Sequence, residues 1–318
     1  MRRHACPCGQ MAEALVTGAT GFLGRLLCSE LIAWGAHVTA LVRKAPAGAQ
    51  RRLPEGVEVR VGDVGAPHGR SVPDGTDFVF HLAARTSPQE SARDPVGAFE
   101  VNALSTARLL EEVRRRDIGL TRFVLASTSL VYAKVAGGRL TEQAPVQPAT
   151  PYAASKAAAE AHALACDGLY GIPVTVVRVF NAYGPHQSPD FVIPSILRQC
   201  LAGGDVRLGN LWPVRDFVYG ADVADLFWRA ARSPRGRGEV FNGGTGKGTS
   251  IRALADACLA VTGSKAKVRV EAGRRRALET DLLVADPTKA ERLLAWRAPT
   301  ALKAGLRATA DSMGGAWA

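Results

Sequence analysis

The chain has 318 residues, of which 47% are hydrophobic, so it can bury one large core or two unequal ones. No apolar run reaches the roughly 18 residues that a membrane span needs, and the basic residues near the N-terminus precede no apolar segment. We therefore predict neither a membrane protein nor a secretory signal. The net charge of +11 is spread along the chain without a cluster of basic and aromatic residues, which argues against nucleic-acid binding. Arginine suits phosphate, so we expect part of this charge to serve polyanionic small molecules and the rest to lie on a solvated surface.

Residues 1–12 are predicted to form an N-terminal extension, with Met11 as an alternative start. Cys6 and Cys8 fall in it without a second Cys or His cluster at ligand spacing, so we predict no metal site. The other four cysteines are scattered through predicted helices and resemble small buried hydrophobes. This usage is typical of a reducing compartment and predicts a cytoplasmic location.

A short apolar strand at 14–17 leads into Thr-Gly-Ala-Thr-Gly-Phe-Leu-Gly and then into an apolar helix at about 25–34. The glycines Gly18, Gly21 and Gly24 allow a tight turn and a close approach of the backbone to a pyrophosphate, which the helix N-terminus then stabilises. This succession of strand, glycine turn and helix predicts a dinucleotide site at the start of the chain.

Strands and helices alternate beyond that turn, which predicts an α/β fold with a Rossmann-type, doubly wound parallel sheet over residues 13–180. Residues 181–318 are predicted to form mainly a smaller α/β substrate-binding lobe, intertwined with the first, although part of 215–245 is expected to return to the sheet. The remaining strands of the sheet are predicted at 37–42, 57–61, 78–82, 123–127 and 174–179. Helices of the smaller lobe are predicted at 193–202, 221–231 and 251–261.

The residue after the second strand bears on cofactor choice. Many NAD sites place an acid there for the ribose hydroxyls, whereas this chain has Arg43, which favours the 2′-phosphate of NADP. The alternative is that Arg43 is only a solvated side chain. Asp63 follows the third strand and can accept from an adenine amino group. Small residues follow the fourth strand and allow a close backbone approach.

Tyr152 and Lys156 lie four residues apart at the start of an alanine-rich helix, so they share one face of it. A nearby cation favours phenolate over phenol. We therefore predict that Lys156 lowers the pKa of Tyr152 and makes it a useful base near neutral pH. An ordinary surface helix start is the alternative for this pair taken alone.

Several spaced motifs occur in one order over about residues 13–300, and together they resemble the extended short-chain dehydrogenase/reductases that modify nucleotide sugars. These enzymes include epimerases, 4,6-dehydratases, decarboxylases and 4-ketoreductases. The motifs are Thr-Gly-Ala-Thr-Gly-Phe-Leu-Gly, Asp63, His-Leu-Ala-Ala, Asn102, Ser-Thr-Ser-Leu-Val-Tyr, Tyr-Ala-Ala-Ser-Lys, Arg-Val-Phe-Asn-Ala-Tyr-Gly-Pro, Arg-Asp-Phe-Val-Tyr with Asp222, and Asn-Gly-Gly.

The resemblance implies roles for individual residues. Tyr152 would take a proton from a sugar hydroxyl while C4 loses hydride to a nicotinamide. Lys156 would hold the nicotinamide ribose, and Thr128 would hydrogen-bond the same sugar oxygen. The residues implied to bind the cofactor, NAD or NADP, are Gly18, Gly21, Phe22, Leu23, Gly24, Arg43, Asp63, Val64, Leu82, Ala83, Ala84, Asn102, Tyr152 and Lys156.

The substrate implied by the resemblance is a nucleotide-diphosphate sugar lying across the smaller lobe. Asn181, Arg215 and Arg276 match the residues of the family that contact the diphosphate, and Arg suits bidentate contact with it. Arg276 is the last of three consecutive arginines, so any of the three could serve. Ser87 would face the sugar, together with Thr128.

One departure from the family pattern concerns the reaction. Dehydratases and many decarboxylases carry a Glu two residues after the hydroxyl residue, where this chain has Leu130. Leucine cannot move a proton, which favours 4-epimerisation or ketone reduction with NADPH. A dehydratase or decarboxylase with a displaced base remains an alternative, for which His186 could be the substitute, although a structural or substrate-contact role is favoured for this histidine. A non-catalytic nucleotide-binding module is disfavoured because Thr128, Tyr152 and Lys156 are all present.

Members of the family commonly pair through two long helices into a four-helix bundle. In this chain the corresponding segments are 102–116 and 152–167, and their apolar positions permit such pairing. The resemblance therefore implies a homodimer, although the same apolar stripe could instead face the sheet.

Overall fold

The structure, a computed structural model, describes residues 11–43, 53–66, 70–134, 137–274 and 281–314. Residues 1–10 of the predicted extension, with Cys6 and Cys8, lie outside the described residues, as does Arg276.

A seven-stranded parallel sheet forms the centre of the molecule, in the strand order β10-β6-β5-β4-β1-β2-β3. Helices cover both of its faces, so an inner strand such as β6 is buried along its whole length, and every residue of β6 except Arg178 is valine or threonine. The predicted α/β class is confirmed. The sheet consists of β1 (Glu13–Thr17), β2 (His37–Val42), β3 (Val57–Val61), β4 (Phe78–His81), β5 (Arg122–Thr128), β6 (Val174–Val179) and β10 (Glu239–Gly243).

Two hydrophobic cores lie on the two faces of this sheet. Helices α1, α7 and α9 pack on one face, and helices α4 and α5 pack on the other. These layers fix the ends of the strands from which the candidate site is built. Within the described ranges, the helices are α1 (Phe22–Ala33), α2 (Pro88–Arg93), α3 (Pro95–Phe99), α4 (Ser105–Arg115), α5 (Pro151–Tyr170), α6 (Val192–Leu201), α7 (Gly220–Arg232), α8 (Ile251–Thr262), α9 (Thr288–Leu294) and α10 (Leu302–Gly314).

Shorter helical segments join these elements. A π-helical segment, Glu100–Leu104, makes α3 and α4 nearly continuous. Single 3₁₀ turns occupy Ser129–Val131, Pro234–Gly236 and Ala272–Arg274.

The smaller lobe has its own core, formed mainly by α6, α8 and α10 against short strands. Strand β9 is the centre of a small mixed sheet, where it pairs with β7, β11 and β13, and β8 pairs separately with β12. These short strands are β7 (Asn181–Tyr183), β8 (Val206–Leu208), β9 (Val214–Tyr219), β11 (Gly248–Ser250), β12 (Val268–Val270) and β13 (Leu282–Leu283).

Two buried aspartates fasten segments of this lobe that are distant in sequence. The carboxylate of Asp216 accepts from the backbone N–H groups of Thr245 (2.8 Å), Gly246 (2.8 Å) and Ala285 (3.2 Å). Asp222 accepts from the backbone N–H of Thr300 at 3.0 Å and from its hydroxyl at 2.8 Å. Buried carboxylates need such donors, so these two motif residues serve the fold.

Among the described residues, no helix is both long enough and apolar enough to cross a membrane. The cysteines of the predicted helices are free and buried, as expected for small core residues. A cytoplasmic location stays a prediction.

Candidate active site

The site lies where the strand order reverses. Strand β1 pairs with β2 on one side and with β4 on the other, so the loops after β1 and β4 diverge and leave a crevice at the carboxyl edge of the sheet. Gly18 begins the loop after β1 with φ +69°, and a Cβ there would lie 2.7 Å from the backbone N of Ala83 and from the carbonyl carbon of Leu82. Only glycine permits this close approach of the two loops.

Helix α1 starts at this crevice. Its N-cap is Gly21, which gives the helix no side-chain cap, and its first turn holds no acidic residue. The first N–H groups of the helix and its dipole therefore favour an anion from outside the helix. Gly24 keeps the helix close to the turn, since a Cβ at this position would lie 2.7 Å from the Cα of Ala19. This cradle fits the pyrophosphate of a dinucleotide.

Other residues assigned to the cofactor lie around the same edge of the sheet. Arg43 is exposed directly after β2. Asp63 follows β3, and its Oδ1 accepts from the N–H of Gly65 at 2.8 Å. The other predicted cofactor-binding residues beside the glycine turn and just after the strands are partly buried, and three of them pack against the two hydrophobic cores. These three are Leu23, Val64 and Leu82.

Phe22 has a packing role that the sequence did not indicate. A Cβ on Gly220 would lie 2.8 Å from its ring, and a Cβ on Gly184 would lie 3.4 Å from it. The ring therefore packs against two glycines that belong to the start of α7 and to the loop after β7. Phe22 joins the glycine turn to the smaller lobe.

Thr128 and Tyr152 are brought together at the ends of two neighbouring elements. Thr128 closes β5, and its hydroxyl accepts from the N–H of Leu130 at 3.3 Å. Tyr152 stands in the first turn of α5 because Thr150 caps the helix, accepting from the N–H of Ala153 at 3.2 Å. The Thr128 side chain hydrogen-bonds the Tyr152 hydroxyl and stabilises its ionised form.

The prediction that Lys156 lowers the pKa of Tyr152 is wrong for this structure. Burial raises the pKa of Tyr152 to about 12, against the smaller opposing effect of the Thr128 hydrogen bond. Burial also lowers the pKa of Lys156 to about 8, opposed by the charge of Glu160. Both side chains are almost inaccessible to water, and removing a charged form from water outweighs these local contacts.

Asn102 lies in the π-helical segment and ties three parts of the site. Its Oδ1 accepts from the N–H of Arg85 at 2.8 Å, and its Nδ2 donates to the carbonyl of Arg85 at 3.1 Å. The same Nδ2 donates to Ser155 Oγ at 2.9 Å, and Ser155 in turn donates to the carbonyl of Tyr152 at 2.8 Å. The loop after β4 is thereby fixed to the helix that carries Tyr152 and Lys156.

His81 continues this network with a defined tautomer. Thr106 donates its hydroxyl proton to the carbonyl of Asn102 at 2.8 Å, so it accepts from His81 Nε2 at 3.0 Å. The Nδ1 atom then accepts from the Thr17 hydroxyl at 2.7 Å, which itself accepts from the N–H of Ala83 at 3.1 Å. Burial and the charge of Lys156 lower the pKa of His81 to about 3, so it stays neutral.

The residues assigned to the substrate are more dispersed. Ser87 caps α2, where its Oγ accepts from the N–H of Glu90 at 3.2 Å, so its hydroxyl is already engaged. Asn181 Nδ2 donates to the carbonyl of Asp216 at 3.4 Å, and Arg215 precedes that aspartate on β9. Asn181 and Arg215 therefore lie on paired strands of the smaller lobe.

His186 lies in the loop after β7 with an unusual φ of +66°. Burial and the neighbouring charge of Arg25 lower its pKa. This places His186 beside helix α1, and no hydrogen bond of the described residues joins it to Thr128 or Tyr152.

Two charged residues next to the site were not singled out from the sequence. Glu160 stands one turn after Lys156 on α5, and Arg178 lies on β6. Their side chains form a buried ion pair with an Nη2 to Oε2 distance of 2.7 Å. The spacing of four residues from Lys156 to Glu160 was the available signal.

Comparisons with known proteins agree with this architecture. The family model described as the NAD dependent epimerase/dehydratase family matches residues 14–244. A UDP-glucose 4-epimerase of Mycolicibacterium smegmatis is 32% identical over 94% of this chain and 97% of its own length. A dTDP-glucose 4,6-dehydratase of Streptomyces griseus is 34% identical over 79% of this chain and 78% of its own length.

The fold is also similar to solved structures. The crystal structure of the Thermus thermophilus UDP-glucose 4-epimerase in complex with NAD has a TM-score of 0.86 to this chain. The two are 32% identical, and the match covers 96% of this chain and 99% of that one.

Proposed function

The chain belongs to the NAD-dependent epimerase/dehydratase family, and from this premise we propose that it is a nucleotide-sugar 4-epimerase. The observation that supports this reaction is Leu130. Its N–H contacts the hydroxyl of Thr128, and its side chain packs against the apolar cluster that contains Tyr132 and Phe180. No proton-transfer group stands at this position, whereas epimerisation at C4 needs none there.

In this proposal the phenolate of Tyr152, the form that the Thr128 hydrogen bond stabilises, takes the proton of a sugar hydroxyl as that carbon is oxidised, and the resulting phenol returns a proton when the carbon is reduced. Thr128 donates a hydrogen bond to the Tyr152 oxygen and holds it in position. When bound, the nicotinamide cofactor supplies the hydride acceptor. Lys156, which is protonated below about pH 8, offers an ammonium for the ribose of that cofactor.

The glycine cradle of residues 18–24 would hold the pyrophosphate, and Asp63 the adenine. Asn181, Arg215 and Arg276 would hold the diphosphate of the substrate, and Ser87 would approach the sugar. The family shows NAD(P) dependence, and the crystal structure from Thermus thermophilus contains NAD.

A reductase is the second candidate, and Arg43 favours it. An exposed arginine after β2 suits the 2′-phosphate of NADP, and an NADPH-dependent 4-ketoreductase would consume that cofactor. An epimerase instead regenerates its cofactor in every turnover.

The test begins with mass spectrometry of the acid-quenched, purified protein, which identifies NAD or NADP carried by it. The protein is then incubated with UDP-, dTDP- and GDP-sugars. We expect a product of unchanged mass whose C4 configuration is inverted by proton NMR. Loss of water or carbon dioxide would contradict epimerisation, and reaction only with added NADPH and a 4-keto sugar would establish the reductase.

The proposed enzyme is expected to be a homodimer. Val96 and Phe99 on α3 are 69% and 49% exposed, and Leu104 follows them on the π-helical segment that leads into α4. This apolar row lies beside one of the two helices that pair in the family. Light scattering should give twice the mass of the chain, and Phe99→Glu should give one chain mass. A wild-type protein with the mass of one chain would contradict the proposed homodimer.

A further inference from the structure

Glu160 and Arg178 form a buried pair directly behind Lys156. The Nε atom of Arg178 lies 3.1 Å from each carboxylate oxygen of Glu160, and its Nη2 lies 2.7 Å from Oε2. The guanidinium also lies over the ring of Tyr132, 4.7 Å from its centroid, and Nη1 donates to the carbonyl of Glu142 at 3.3 Å. Arg178 is therefore held from several sides and fixes the carboxylate in turn.

Lys156 and Glu160 stand on the same face of α5, one turn apart. Their residues are 2% and 3% exposed, so little solvent screens their charges from one another. Among the residues that the structure describes, no ion pair joins them directly, because Arg178 engages both oxygens of the carboxylate. The negative charge of Glu160 therefore raises the pKa of Lys156, while the N–H groups of the lysine are not used in an ion pair with it.

Within the part of the chain that the structure describes, Glu160 is the one charge found to act on the pKa of Lys156. His81 at the end of β4 is neutral, and Tyr152 on α5 is a phenol at neutral pH. Strand β6 contributes Arg178. Strand β5 and the π-helical segment contribute the neutral side chains of Thr128 and Asn102. Glu160 is thus the negative charge that opposes the effect of burial on Lys156.

We propose that Glu160, held in place by Arg178, is a positioning residue that keeps Lys156 protonated while leaving its ammonium free to bind a ligand. This inference rests on the proposed function, which gives Lys156 its place beside the cofactor and Tyr152. Without the carboxylate, burial alone would set the charge of Lys156. Without Arg178, the carboxylate would turn to Lys156 and engage its N–H groups.

The titration of Lys156 tests this directly and needs no substrate. The chain has eight lysines, so protein labelled with carbon-13 at lysine Cε gives a short list of NMR signals. Lys156→Met identifies the signal of interest, and its chemical shift is followed against pH in the purified holoenzyme. In Glu160→Gln we expect the midpoint to fall by about one pKa unit or more, because a buried opposite charge has been removed. In Arg178→Met we expect it to rise, because the nearby positive charge is gone and Glu160 is released.

The opposite signs separate this proposal from a structural role, since both variants break the same ion pair. Shifts in one common direction, or an unchanged midpoint in Glu160→Gln, would overturn it. If a single variant fails to fold, Glu160→Gln combined with Arg178→Met removes both charges and leaves none unpaired. Its midpoint should still fall, because the charge of Glu160 is the one that opposes the effect of burial on Lys156. Glu160→Asp keeps the negative charge, so the titration midpoint of Lys156 in this variant should lie closer to the wild-type value than the midpoint in Glu160→Gln.

An active preparation adds an independent readout. The basic limb of kcat/KM against pH should move to lower pH in Glu160→Gln together with the NMR midpoint. If no sugar in the panel is turned over, the proposed function fails while the titration still decides the role of Glu160.

Discussion

Tyr152→Phe is expected to lower the rate of sugar turnover by roughly 10²–10⁴-fold, the usual contribution of a positioned acid–base group. The variant removes one oxygen from a side chain that is 8% exposed and leaves its ring in place. The Thr128 hydroxyl would lose one partner but keep the N–H of Leu130. We expect the substitution to act on kcat and to leave cofactor retention unchanged, as measured by steady-state kinetics and mass spectrometry.

Tyr183→Phe is the matched control for this prediction. Tyr183 is also buried, and its hydroxyl makes a weak hydrogen bond to the carbonyl of Leu302 at 3.3 Å, in the smaller lobe. Turnover by the control should remain within a few-fold of wild type. Equal losses in both variants would mean that Tyr152 serves packing, and the assignment of the base would have to be abandoned.

Gly24→Ala is expected to destabilise the protein and to abolish cofactor retention. A Cβ at position 24 would lie 2.7 Å from the Cα of Ala19 and 2.8 Å from the carbonyl carbon of Gly18, both of them backbone atoms. Overpacking commonly costs about 1–3 kcal/mol, and we expect the upper end because neither atom can move without displacing β1. The helix N-terminus would shift away from the glycine turn, and the anion cradle would open.

Thermal unfolding and the amount of NAD(P) that copurifies measure the two effects of Gly24→Ala. Gly119→Ala provides the comparison, because a Cβ there meets nothing within 4 Å and the backbone needs no positive φ. This control should keep the cofactor and melt near the wild-type temperature. Wild-type melting and cofactor content in Gly24→Ala would show that the turn does not require glycine.

The local sequence pattern was sufficient to predict most strands of the seven-stranded sheet. The strands at 37–42, 57–61 and 174–179 were predicted with their observed bounds, because each is rich in β-branched residues, chiefly valine, which favour strands. The glycine turn was recognisable for the same reason, since its spacing is set by contacts within a single strand, turn and helix. The role of Asn102 had no such local signal, because its side-chain hydrogen bonds reach Arg85 and Ser155, which lie 17 and 53 residues away in the chain.

The electrostatics of the site depend on burial, which a sequence does not state. The spacing of Tyr152 and Lys156 correctly suggested neighbours on one helix face, yet the direction of the tyrosine pKa follows from its enclosure. The structural roles of Asp216 and Asp222 could not be predicted from the sequence for a related reason. Their partners, such as Ala285 and Thr300, lie 69 and 78 residues further along the chain.

Those long separations determine when the molecule can finish folding. During synthesis the N-terminal part of the chain emerges first, and β1 to β6 can assemble from contacts within it. Strand β10 at 239–243 then completes the sheet at the side of β6. The carboxylates of Asp216 and Asp222 acquire their last donors only when Ala285 and Thr300 have left the ribosome. Such non-local contacts slow folding, so we expect the smaller lobe to be the part of this protein that matures last.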